Sequence, residues 1–218
     1  MQTDYGDSLI TGGLIATGPG SLEDIYQESS AGLKIVGTKM VGTPQNCFHF
    51  KQVSNRAMGG LVISSNSIEG CTVNGILIEQ NSPSNGQSIN GLVITDNQIG
   101  GGAGTGFVGI NATSGDHTAW IRGATITGNV IMANQTNSMG GIIVDGMDEA
   151  TIAGNSVFNN SGSITGFGYI VGSWMRNGYV RKNSMAYAAP SISPCSIGAL
   201  GAGNPGPQIR FEAATPCL

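Results

Sequence analysis

The sequence predicts an all-β fold, a single right-handed parallel β-helix of about seven coils, and three observations predict it. A short segment recurs along the chain with a period of roughly 30 residues. Within each copy, apolar and polar residues alternate with the period of two that marks a strand. The copies are joined by corners rich in Gly, Asn and Ser, and the 3.6-residue periodicity of a helical hairpin repeat is missing.

Six segments superimpose: residues 33–40 (LKIVGTKM), 61–68 (LVISSNSI), 92–99 (LVITDNQI), 124–131 (ATITGNVI), 150–157 (ATIAGNSV) and 178–185 (GYVRKNSM), with a fainter copy near residues 9–14. The sixth position of each is an anchor, held by Thr38, Asn66, Asn97, Asn129, Asn155 and Asn183 at spacings of 28, 31, 32, 26 and 28 residues. Three residues before the anchor stand Ile35, Ile63, Ile94, Ile126, Ile152 and Val180; two residues after it stand Met40, Ile68, Ile99, Ile131, Val157 and Met185. Columns this uniform predict side chains stacked coil upon coil in one core. An Asn at a corner tolerates left-handed backbone, and its amide can bond the equivalent Asn one coil away, so the anchors read as a structural ladder. A second alternating strand follows each anchor, with Phe48 and Phe50, Ile76 and Ile78, Val108 and Ile110, Ile142 and Val144, and Tyr169 and Val171 facing inward. Residues 21–26 fit either a short capping helix or a strand of the first coil. Residues 1–190 read as the coils and residues 191–218 as a final coil or capping tail, a single domain or part of a longer chain.

Composition narrows the function. Only 10% of the residues are charged while 39% are hydrophobic, the reverse of a disordered chain. A formal charge of −4 carries no basic footprint for nucleic acid and suits a neutral or modestly charged partner. No run of about 18 apolar residues spans a membrane. Residues 1–7 have neither a basic nor an apolar region, so no signal peptide is expected. Cys47, Cys71, Cys195 and Cys217 form no CxxC pair, so structural zinc is not expected. Cys195 and Cys217 share the tail and could pair; otherwise reduced thiols are expected. The sequons at Asn111, Asn134 and Asn159 are what Asn-rich corners generate by chance.

The repeat resembles that of the pectin-lyase-like superfamily, which includes pectate lyases, polygalacturonases, alginate epimerases and bacteriophage tailspikes, and the resemblance covers about residues 9–211. The small motifs of its enzymes are missing. There is no Asn-Thr-Asp, Asp-Asp, Gly-His-Gly or Arg-x-Lys of polygalacturonases, no Asp-Pro-His of epimerases and no GGxGxD calcium repeat; Arg181 and Lys182 are adjacent. One such fold hosts many chemistries, so the likeness speaks for fold more than for function.

Candidate residues therefore come from geometry. The position after the last inward residue of the second strand forms an outward column of Lys51, Glu79, Asn111, Asp145 and Gly172, beside His49, Leu77, Gly109, Ile143 and Ile170. Glu79 and Asp145 are two coils apart, about 9–10 Å between backbones. Their carboxyls can then enter the ~6.5–9.5 Å window of an inverting glycoside hydrolase. The same residues also fit the solvated polar end of a strand. Excursions at residues 81–90, 112–122 and 172–177 leave after this strand and bring Asp116, His117, Trp120 and Trp174. Loops on one side of a scaffold gather binding residues, and an exposed Trp can stack on a sugar, although each Trp can equally fold back over a corner.

In character the chain is closest to the tailspikes. That resemblance implies a homotrimer, extracellular or virion-associated, that binds a bacterial surface polysaccharide, with cleavage of the same glycan as the further activity it suggests. Glu79 and Asp145 are the candidate catalytic pair; Lys51, Asn111, Asp116, His117, Trp120 and Trp174 are the candidate substrate contacts. No metal, cofactor, nucleic acid or membrane partner is expected. Two rivals are a secreted bacterial polysaccharide lyase or hydrolase, with Lys51 and Glu79 as the lyase pair, and a β-helical spacer without catalysis.

Overall fold

In the computed structural model the alternating segments become the strands of an all-β parallel solenoid with three sheets. The structure describes residues 8–28, 32–53, 58–80, 88–101, 106–114, 119–133, 140–159, 170–181, 183–187, 195–197 and 210–211. The first sheet has eight strands: Ser8–Thr11, Leu33–Val36, Val62–Ser64, Val93–Thr95, Thr125–Thr127, Thr151–Ala153, Tyr179–Arg181 and Arg210–Phe211. Just past each ladder corner begins the second, with seven: Leu14–Ala16, Lys39–Val41, Ser67–Cys71, Gln98–Gly101, Val130–Ala133, Ser156–Asn159 and Ser184–Tyr187. The third holds the long strands Glu23–Glu28, Asn46–Gln52, Asn74–Gln80, Val108–Ser114, Gly140–Asp148 and Ile170–Arg176, then Cys195–Ile197. Three short strands, Met58–Gly59, Ile89–Asn90 and Ile121–Arg122, continue the third sheet beyond its corner. Five successive turns, from Leu33 to Arg176, have a neighbour on both sides, and the outermost strands extend the sheets at each end. Residues 21–26 supply part of a strand and no helix, because their outward and inward residues pair in register with Asn46–Gln52.

Register puts Ile35, Ile63, Ile94, Ile126, Ile152 and Val180 in one stack, all fully buried. Met40, Ile68, Ile99, Ile131 and Val157 form a second buried stack. Between the two runs the ladder. Asn66, Asn97, Asn129 and Asn155 each donate Nδ2–H to the Oδ1 of the Asn one turn ahead at 2.9 Å. Each also donates to a carbonyl one turn behind, as Asn97 does to Ile63 at 2.9 Å, and its Oδ1 accepts the backbone N–H of the preceding anchor. Every hydrogen-bonding valence of the Asn97, Asn129 and Asn155 amides is thus filled, while Asn66 Oδ1 accepts only the backbone N–H of Thr38.

The corner geometry corrects one expectation. The left-handed residue is the one before the anchor, at Gly37, Ser65, Asp96, Gly128 and Gly154, and not the Asn itself. The Asn serves the corner through its side chain alone. A second left-handed position precedes the first sheet, at Gly32, Gly60, Gly91, Gly123, Glu149 and Asn177.

The thiols correct another. Cys47 and Cys71 are joined by a disulfide, with their Cα atoms 5.5 Å apart. Cys47 lies on the long strand Asn46–Gln52, and Cys71 ends the second-sheet strand of the following turn. Their 24-residue separation falls just short of a turn, so winding brings them together. In the register column of Cys47 the later turns carry Gly75, Gly109 and Gly141. A Cβ at Gly75 would stand 2.4 Å from Ile99 Cγ2 and one at Gly109 2.5 Å from Ile131 Cγ2, so these two turns have no room for the side chain that Cys47 carries. Cys195 and Cys217 lie outside the described side chains, and so does their possible pairing.

Candidate functional site

The site is a strip on the outer face of the third sheet. Phe48, Ile76, Ile110 and Ile142 align inward, and so do Phe50, Ile78, Ala112 and Val144. Between and beyond them, two columns face outward. One runs Tyr26, His49, Leu77, Asn111, Ile143, with Val171 next in register. The other runs Glu28, Lys51, Glu79, Thr113, followed by Asp145 and then Ser173. Asp145 is level with Thr113 because Ala112 pairs with Val144 and Gly146 packs against Ser114.

Glu79 and Asp145 therefore share one column of one face, separated by the strand of Thr113. Two strand spacings put their backbones about 9–10 Å apart. Lys51 is the direct cross-strand neighbour of Glu79. Asn111 does not belong between the carboxylates: the strand Val108–Ser114 is shifted by two from its expected alignment, so Thr113 takes that place. Instead, Asn111 donates Nδ2–H to Asn74 Oδ1 at 3.3 Å, and Asn74 in turn bonds Asn46. This is a short second amide chain. Ile170 and Gly172 pair in register with Ile142 and Val144, the places expected for Tyr169 and Val171, so Gly172 is not in the carboxylate column.

At the end of the strip nearest the first turn, side chains from three adjacent strands interlock. His49 Nε2 lies 2.8 Å from Glu79 Oε2, and its Nδ1 lies 3.3 Å from Glu23 Oε1. The Tyr26 ring meets the imidazole edge-to-face at 5.0 Å between centroids and donates its hydroxyl hydrogen to Glu28. Loss of solvent, the Glu28 hydrogen bond, and the negative charges of Glu28, Glu23 and Glu79 push the Tyr26 phenol up to about 12. It stays protonated at any working pH. Among the described residues no group of three or more His, Cys, Asp or Glu side chains could hold a metal ion.

The strands Asn74–Gln80 and Val108–Ser114 end one residue past Glu79 and Thr113, and residues 81–87 and 115–118 come next in the sequence. Asp116 and His117 lie in the second of these segments, outside the described residues. Trp120 follows at the return to the sheet and is half-buried, with its carbonyl accepting the Ile89 N–H. Gly140–Asp148 runs through the corner as one strand and pairs with both Val108–Ser114 and Ile121–Arg122. The corner is turned at Gly146, whose φ of 67° and close approach to Ser114 leave no room for a Cβ. Residues 172–177, expected as an excursion, belong chiefly to the strand Ile170–Arg176. Trp174 is on that strand, and its side chain lies outside the described residues.

No protein-family model matches the chain, and no curated protein or solved structure matches it either. Function rests on the geometry.

Sequence reasoning missed the His49 bridge. The signal was present, since His49 shares outward parity with Lys51 two residues on, and the period places Glu79 one turn ahead. What hid it was Glu23, on a segment that read equally as a helix.

Proposed function

We propose that the chain is a tailspike-like, right-handed β-helix that binds a bacterial surface polysaccharide along the outer strip of its third sheet and cleaves it by hydrolysis. The observation that carries this reading is the shared column of Glu79 and Asp145, two strands apart on one open face. The separation suits an inverting hydrolase, in which one carboxyl protonates the leaving oxygen and the other activates water. Trp120 beside the strip is the candidate stacking surface. The Cys47–Cys71 disulfide supports an extracellular or virion-surface location, since such bonds persist in oxidising surroundings. The reading includes assembly as a homotrimer, which light scattering would measure directly.

Reducing-end release from capsule or O-antigen preparations is the test. Wild-type protein should release ends, and Glu79→Gln and Asp145→Asn should each lose turnover with little change in binding. Activity that survives both substitutions would move the chemistry elsewhere. Lys51 directly beside Glu79 favours a second reading, a polysaccharide lyase with Lys51 as base; unsaturated product ends and dependence on added calcium would select it over hydrolysis.

A further inference from the structure

We infer that the strip takes an uncharged glycan of disaccharide repeat, in which every second sugar carries a methyl-bearing group. This inference rests on the glycan-binding part of the reading above and is independent of hydrolysis.

Each strand of the strip shows two side chains outward, two residues apart, and the pairs alternate in chemistry. Tyr26 with Glu28, Leu77 with Glu79, and Ile143 with Asp145 each join an apolar side chain to a carboxyl group. The strands between present His49 with Lys51 and Asn111 with Thr113, nitrogen- and hydroxyl-bearing groups without a carboxyl. Neighbouring pairs differ, while every second pair matches in kind. The repeat is therefore two strand spacings, about 9–10 Å. An extended peptide repeats every two residues, about 6.6–6.8 Å, and falls out of step within one period. One sugar ring advances a glycan by close to one strand spacing, so a disaccharide repeat stays in step along the stack.

The two kinds of pair ask for two kinds of sugar. Leu77 and Ile143 are outward aliphatic side chains, both partly exposed, and each lies two residues from a carboxyl group on its own strand. Such a pair covers a methyl-bearing substituent, the deoxy carbon of a 6-deoxyhexose or the acetyl group of an N-acetylhexosamine, while the carboxyl oxygens meet hydroxyl groups. A carboxyl has room for several partners, so contacts within the protein do not close it to a sugar. Asn111 and Thr113 between them offer only polar contacts and suit a sugar bearing hydroxyls alone. Charge narrows the class further. Among the described residues of the strip, Glu23, Glu28 and Glu79 stand against Lys51 and, when protonated, His49. Moving a proton between the ring and the neighbouring carboxyls leaves that sum unchanged, so the strip has no surplus of positive charge even before Asp145 is counted. Lys51 is also flanked in its column by Glu28 and Glu79. Juxtaposed like charges turn a partner away, and a chain of uronates is turned away here.

The test is retention of bacterial capsules and O-antigens of known repeat on the immobilised full chain, with each acidic glycan supplied also in carboxyl-reduced form. Retained glycans should be uncharged, with a methyl-bearing sugar at every second position; separate 6-deoxyhexose and N-acetylhexosamine sets show which group supplies the methyl. Carboxyl reduction should turn acidic repeats of that pattern from unretained to retained. Leu77→Ser and Ile143→Ser should each weaken binding of a retained glycan by about tenfold, the order expected for an aliphatic side chain taken out of water. Glu23→Gln combined with Glu28→Gln should admit the unreduced acidic form, most strongly at low salt. The panel on wild-type protein decides alone if a variant folds poorly. Retention of native polyuronates, or of methyl-free homopolymers as tightly as the alternating class, would overturn this assignment and leave the glycan-binding reading standing. So would well-folded Leu77→Ser and Ile143→Ser proteins with unchanged affinity. A wild-type protein that retains no glycan defeats that reading and this inference together.

Discussion

The ladder corner and the outer strip of the third sheet are built from the same repeat, yet they treat it in opposite ways. At the corner, Asn66, Asn97, Asn129, Asn155 and Asn183 do one job in successive turns and are identical. On the strip, the equivalent positions hold Tyr26, His49, Leu77, Asn111 and Ile143, and no two neighbours match. The difference follows from burial. An amide closed off from water must be satisfied by its neighbours in the stack, so each turn constrains the next. An outward side chain is satisfied by solvent and is free to differ. Uniform columns therefore report the scaffold, and the column that breaks uniformity is where a site can be placed.

The contrast predicts that changes on the strip alter activity and spare stability, while changes at the corner do the reverse. The largest expected effect is on turnover: Glu79→Gln or Asp145→Asn should slow hydrolysis by about 10²–10⁴-fold, the usual contribution of an acid or base group. Urea unfolding of the same variants should stay close to wild type; a large loss of stability would mean that the strip also does structural work.

Next come the interior changes. Asn129→Ala orphans the Nδ2–H and backbone N–H of Asn97 together with the carbonyl of Ile94, at about 1–3 kcal/mol for each group left without a partner. Ile126→Ala empties part of a fully buried stack and should cost about 2–5 kcal/mol. Neither should change glycan affinity. Abolished binding with an intact melting temperature would reverse the comparison. Cys47→Ser is expected to be milder, about 2–4 kcal/mol for releasing one closed loop, read as a lower urea midpoint.

The smallest effect concerns Asp24, whose carboxyl is raised above its usual range by burial, partly offset by the Thr17 hydroxyl donating to it. A raised carboxyl binds its proton more tightly in the folded chain than in the unfolded one. Its contribution is therefore favourable at pH below the ordinary Asp value and is lost as pH rises through the folded value. At neutral pH Asp24 is a buried cost, so Asp24→Asn should raise the melting temperature slightly at pH 7 and flatten its dependence on acid. An unchanged slope between pH 4 and 7 would show that the group is fully solvated.

The fold was legible because the evidence for it is redundant: six anchors and two apolar columns specify the same winding. The site was legible in part. Glu79 and Asp145 could be placed in one column because inward Ile78 and Val144 fix their parity. The intervening turn could not, because Val108, Ile110 and Ala112 offer three small apolar residues at the same parity, and nothing local chooses between registers two residues apart. The Cys47–Cys71 pair was hidden because it closes across a corner, where the spacing depends on corner length and not on the repeat alone. The left-handed residue was misplaced by one because Ser65 and Asp96 share with Asn the ability to adopt that backbone.

The turn that carries Thr113 is also a ruler. It contributes neither carboxylate of the proposed pair, yet its one strand of rise sets how far Asp145 stands from Glu79. Excising residues 97–128 would splice Asp96 to Asn129, ladder position onto ladder position, and drop Asp145 to about 4.8 Å from Glu79 between backbones. That is close to the ~5–5.5 Å carboxyl spacing at which a carboxylate attacks sugar directly instead of through water. In a solenoid, then, the stereochemical course of a reaction can be a matter of counting: gain or loss of a whole repeat changes the gap between two groups by a fixed step while leaving both in place on their own strands.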